Sequence, residues 1–169
     1  MTRLIRWLLA LVVGLGAVVA APAVSSAASS SASSAASPLL DGVQLRYLPP
    51  GLGTSTDFEY EYDDVAFVAR VWESGSDAAG WRVDLDVEVL RGDRLSRAQE
   101  LHDWFIAYEA RPASEVGYRP VRIGGRPGWV TRDEVFWLVR PGLAMAVSVD
   151  AARYSQPQLL RTARQARVR

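Results

Sequence analysis

Residues 81–89 read Trp-Arg-Val-Asp-Leu-Asp-Val-Glu-Val, an unbroken alternation of apolar and polar side chains. A period of two is that of a β-strand with one face buried, because successive side chains leave a pleated backbone on opposite sides. Phe58-Glu-Tyr-Glu-Tyr62 repeats the pattern, and further strands are predicted over 43–48, 65–72, 118–123, 129–132, 135–139 and 143–149. Short turn-forming stretches separate them: Pro49-Pro50-Gly51, Asp63-Asp64, residues 75–80, Gly124-Gly125-Arg126-Pro127-Gly128 and Pro141-Gly142. Connections this short join antiparallel neighbours, since a parallel pair needs a crossover of a dozen or more residues.

Two helices interrupt the strands. Ser96-Arg-Ala-Gln99 and Ser155-Gln-Pro-Gln158 each have the spacing of a capping box, in which a hydroxyl and a carboxamide satisfy backbone donors at a helix start. The first helix, 96–111, carries Leu101, Trp104, Phe105 and Tyr108 on one side; the second runs from Ser155 to about Arg167. The fold expected is α+β, a single curved antiparallel sheet with both helices packed on one face. Asp84, Asp86 and Glu88 then belong to a solvated strand face paired with arginines, and Glu59, Glu61 and Asp63 to another.

Before this domain lies a different kind of sequence. Arg3 and Arg6 precede the uncharged run Trp7–Val24, the order of an export signal, with Ala21 and Ala23 supplying a cleavage site. Eighteen apolar residues also reach the lower limit for spanning a bilayer, so 1–24 reads as a signal peptide or an N-terminal anchor. Residues 25–38, almost wholly Ala and Ser, read as a disordered tether, and 39–169 as one α+β domain. The address implied is secreted, or the extracytoplasmic face of the membrane, with the membrane touched only through an uncleaved first segment.

Composition excludes several chemistries. The chain has no cysteine, hence no disulfide, thiol nucleophile, Cys-ligated zinc or lipid-modified N-terminal Cys. Every one of its nineteen basic residues is Arg, so Schiff-base chemistry and a P-loop lysine are also excluded. Residues 41–88 hold eleven acids against three Arg, and 89–169 eight acids against fourteen Arg, a polarity hidden by a net charge of zero. Arg153, Arg161, Arg164, Arg167 and Arg169 close the chain without an acid among them, and Arg161, Arg164 and Arg167 would share one side of the last helix. They offer a contact for an anionic envelope partner or cell-wall surface; nucleic acid does not suit an exported domain of zero net charge.

No catalytic set stands out. His102 lies beside Asp103 at the edge of the apolar stripe and reads as a core-edge histidine, with a pH-sensitive contact as the alternative. The glycine-rich 124–128 segment is followed by a strand, not by the helix a phosphate cradle needs. No cofactor or metal is expected. Trp104, Phe105 and Tyr108 either fill the core or line an apolar cleft between helix 96–111 and the sheet.

The segments RYLPPGLG (46–53), VRIGGRPGWV (121–130), VFWLVRPGLAMAVSV (135–149) and SQPQLLRTARQARV (155–168) resemble a family of uncharacterised extracytoplasmic domains of Gram-positive, actinobacterial-type exported proteins. It is similar to the outer domains of anti-sigma-factor-like membrane proteins, and more distantly to PsbP-like lipoproteins. The resemblance implies an exported domain with an early Leu-Pro turn, a Gly-rich hairpin and a closing helix introduced by Ser. The function expected is a non-enzymatic envelope domain that binds a protein or polymer partner, with a small-ligand carrier as the alternative and a hydrolase behind both.

Overall fold

The computed structural model describes residues 38–110 and 117–169. The export segment 1–24, all of the tether except Pro38, and the expected helix end at Pro112 lie outside the described residues. Among them, no helix is long and apolar enough to cross a membrane.

The elements in order are β1 (Leu39–Leu40), β2 (Val43–Leu45), β3 (Thr54–Tyr62), β4 (Val65–Ser76), β5 (Gly80–Arg91), α1 (Ala98–Tyr108), β6 (Arg119–Ile123), β7 (Arg126–Val130), β8 (Glu134–Arg140), β9 (Leu143–Val149), α2 (Gln156–Gln165) and β10 (Ala166–Val168). The α+β class and antiparallel pairing agree with the short connections. The single sheet does not: seven strands form one sheet in the order β3-β4-β5-β9-β8-β7-β6, and β1-β2-β10 form a second.

Nor do the helices share a face. Along β5, β9 and β8, Leu85, Val87, Val89, Met145, Val147, Val135 and Trp137 point to one side, where Leu159 and Ala163 of α2 and Leu40, Val43 and Leu45 of the small sheet complete a core. On the opposite side Leu90, Ala144, Ala146 and Phe136 pack with Phe67 of β4 and with Leu101 and Phe105 of α1. Each helix therefore covers its own face. Burial on both faces is what makes β9, Leu143–Val149, an unbroken buried run.

Several boundaries follow from local chemistry. At α2 the capping box forms, with the Ser155 side chain taking the N3 backbone N–H while Gln158 accepts from the Ser155 backbone, and Pro157 sits in the first turn. At α1 it does not. Arg97 is the N-cap, and Ser96 Oγ donates to Glu100 instead, so α1 starts one residue later than the Ser96 spacing predicts and ends at Tyr108. The last helix is shorter too: α2 stops at Gln165 because Ala166–Val168 turn extended and pair with β2, Arg167 opposite Gln44.

Three glycines are fixed by geometry. Gly124 and Gly125, at φ +58° and +82°, form the whole turn between β6 and β7, and a type I′ hairpin needs positive φ at both central residues. Arg126-Pro127-Gly128 belongs to β7 itself. A Cβ on Gly128 would stand 2.6 Å from that of Trp137, its cross-strand partner, so only hydrogen fits between the strands there.

Candidate binding surface

Of the acids expected in solvent, Glu59, Glu61 and Asp63 are exposed, but those of β5 are buried. Asp84 is 0 % exposed, Glu88 4 % and Asp86 9 %, and Glu134 of β8 is 3 % exposed. Asp84 sits beside the irregular register at Trp72 and Glu73, where it accepts from the Gly53 backbone N–H, from Ser74 Oγ and from the partly exposed Arg153 in an ion pair. Arg153 also donates to the Gly51 carbonyl, as does the Tyr154 hydroxyl. Its hydrogen bond to Asp84 raises the Arg153 pKa, and burial raises that of Tyr154. This hub ties the Gly51–Gly53 loop to the end of the sheet and takes Arg153 out of the C-terminal cationic series.

The other acids lie on the α1 side. Asp86, Ser148 and Glu134 stand in one cross-strand row over β5, β9 and β8, with Glu88 one pleat away. Tyr118 donates to Glu134, and Tyr60 to Glu88 at 3.1 Å, which leaves the Tyr108 hydroxyl to donate to Tyr60 across 3.0 Å. Glu88 and Glu134 thus accept from phenols inside the fold. Among the described residues no group of three His, Asp or Glu side chains is arranged to hold a metal ion.

The aromatic residues of α1 lie over the same face. Phe105 is fully buried and stacks on Phe136 with ring centroids 4.2 Å apart. Trp104 and Tyr108 stack on each other at 5.4 Å and reach Phe67 and Tyr62, while the Trp104 indole N–H donates to Asp63 in the β3–β4 turn. His102 packs on Trp129 at 4.7 Å with Nδ1 2.9 Å from Asp103, which lowers the Asp103 pKa through that hydrogen bond. The three aromatics named from the sequence come together as one packed stack between helix and sheet.

A different assembly is exposed. Arg161 and Arg164 lie on the outer side of α2, and the Arg161 guanidinium sits 4.1 Å above the Tyr47 ring. Arg167 lies not on the helix but on β10, opposite Gln44, whose side-chain oxygen accepts from Arg46 at 3.3 Å. At the β6–β7 turn, Arg122 donates to the Gly125 carbonyl, and a methyl group placed on Gly124 would lie 3.4 Å from Arg167 Nη1 and 3.7 Å from Arg126 Nη1. Two guanidiniums thus gather at one glycine turn. Among the described residues, none of Arg46, Arg122, Arg126, Arg161, Arg164 and Arg167 has a carboxylate within ion-pair distance.

Like charges brought together without counter-ions repel, and exposed side chains of this length are free to swing apart. Here an aromatic ring, a carboxamide and a backbone carbonyl hold three of them in place. Arg161, Arg164 and Arg167 were legible from the sequence as a series. Arg46, Arg122 and Arg126 were not, because only the pairing of β10 with β2 and the passage of the chain end beside the β6–β7 turn bring them in. Comparison of the chain with protein-family models, curated protein sequences and solved structures finds no match in any of the three.

Proposed function

We propose that this chain is an exported, non-enzymatic envelope domain that binds an anionic polymer or anionic protein surface through Arg46, Arg122, Arg126, Arg161, Arg164 and Arg167. The observation that carries the reading is the concentration of exposed guanidiniums from four separate elements with no acid among them. Arginine suits the task, since its planar fork pairs with phosphate or carboxylate in two parallel hydrogen bonds. The export-type opening sequence and the resemblance to extracytoplasmic domains support placing the partner outside the cytoplasmic membrane.

The test is binding of the full chain to inorganic polyphosphate over a salt series. Affinity should fall steeply as salt rises, because each cation paired with a polyanion releases condensed counter-ions. Arg161→Gln with Arg164→Gln and Arg167→Gln should weaken binding and flatten the slope. Unchanged affinity in the triple variant would overturn the assignment of this surface, and recovery of the unprocessed chain from the cytoplasm would overturn the location.

A further inference from the structure

The two edges of the seven-stranded sheet are built differently. β6, at one edge, is five residues long and carries Pro120. Its hairpin turn is two residues, which makes Ile123 and Arg126 a hydrogen-bonded pair, and alternation from there turns the backbone of Pro120 away from β7. Proline has no N–H to offer on that side, so this edge is blunted.

β3, at the other edge, has nine residues with no proline and no break in its register with β4. Asp63 and Asp64, at φ +52° and +59°, form its two-residue turn, so Tyr62 and Val65 are the first hydrogen-bonded pair. Counting back, Tyr60, Phe58 and Thr56 bond inward to β4, while the N–H and C=O groups of Glu61, Glu59, Asp57 and Ser55 point outward. No strand among the described residues takes them. Three of those four residues are acidic. Asp57 pairs with Arg70 at 2.6 Å, whereas Glu59 and Glu61 are exposed and have no ion-pair partner among the described residues.

We infer that the β3 edge accepts an extended polypeptide segment with basic residues at alternate positions, which adds an eighth strand to the sheet. The outward backbone groups supply the ladder, and Glu59 and Glu61, neighbours on one face two residues apart, read a matching pair of cations across the new strand junction. The same acids repel the β3 edge of a second copy, whose carboxylates would stand beside them. The opposite edge of a second copy is a poor occupant, because Pro120 removes an N–H from its short ladder.

The experiment titrates the full chain with a labelled synthetic peptide as long as β3 that alternates arginine and threonine. A control peptide has the same composition with its arginines gathered at one end. Alternating peptide should bind better and slow amide exchange at Asp57, Glu59 and Glu61. Glu59→Arg with Glu61→Arg should weaken it roughly tenfold. Glu59→Pro should abolish it without loss of the native fold, because the N–H removed faces away from β4. Equal binding of both peptides, or no slowed exchange at those amides in the unaltered chain, would overturn the inference even if Glu59→Pro fails to fold. Self-association lost in Glu59→Pro would also overturn it, by making the occupant a second copy. None of these residues belongs to the arginine surface, so polyphosphate binding reports on that surface separately.

Discussion

The two faces of the seven-stranded sheet solve the same problem with different materials. Under α2 and the small sheet the core is mostly aliphatic, with Leu85, Val87, Val89, Met145 and Val147 packed alongside Trp72, Trp137 and Tyr154. Under α1 it mixes a run of aromatic rings with carboxylates, Glu88 and Glu134 taking donors from Tyr60 and Tyr118. The aliphatic face rests on burial, about 25 cal/mol for each Å² of apolar surface removed from water. The mixed face adds directional constraints, since a buried carboxylate costs stability unless its donors stay in place. The difference teaches that an alternating strand need not be half solvated: its polar side can be an interior of another kind.

Changes that empty or disarm one interior should separate it from the other, and the largest effect is expected where a ring is lost. Phe105→Ala removes the side chain stacked on Phe136 and should cost about 4 kcal/mol in urea unfolding. Leu159→Ala, the matching deletion under α2, should cost nearer 3. Equal losses would mean that the stacked rings contribute nothing beyond their area. Asp84→Asn weakens the part-buried pair with Arg153 at the end of the sheet and should lower the urea midpoint, with faster amide exchange around Gly53 as its local signature. Tyr118→Phe removes one donor to Glu134 and should cost about 1.5 kcal/mol.

Smaller effects sharpen the contrast at the elements that flank the two faces. Ser155→Ala should cost about 1 kcal/mol because its capping box forms, and Ser96→Ala less than about 0.5 because Ser96 makes no cap bond. Asp57, on β3, has its pKa lowered first by the hydrogen bond from Arg70. Its contribution is therefore present above the ordinary carboxylate pKa, near 3.9, and is lost as pH falls through the lowered value. With the Asp57 side chain 51 % exposed, Asp57→Asn should cost no more than about 1 kcal/mol near pH 7. The gap between variant and parent should close below about pH 4, measured by unfolding across an acid series.

Much of this fold was legible in the chain, and the errors share one cause. Most strand segments, the turns at Asp63-Asp64 and Pro141-Gly142, and the cap at Ser155 depend on residues within a few positions of one another, so local pattern found them, whereas the connection expected over 124–128 shrinks to Gly124-Gly125 and β1 and β10 have no such signal. Ser96 was misread for a reason the pattern cannot contain: its hydroxyl had Glu100 as a second partner and took it. Asp84, Asp86 and Glu88 were expected in water because alternation assigns polar side chains to the opposite side of a strand without saying what covers that side. Arg161 and Arg164 were identified as exposed cations on one helix, whereas Arg167 reached the same surface by way of a strand that Val43–Leu45 induced across the sequence.

By itself, then, the sequence determined most of the antiparallel strands, the short turns at Asp63-Asp64 and Pro141-Gly142 and the supply of cations near its end. Backbone period, positive-φ turn residues and composition are properties of neighbours along the chain. Tertiary structure alone decided that the helices take opposite faces, that phenols donate to Glu88 and Glu134, and that exposed arginines of distant segments have no carboxylate at ion-pair distance among the described residues. Each of those outcomes depends on which surfaces are left uncovered once the strands have paired, and no short stretch of residues encodes that.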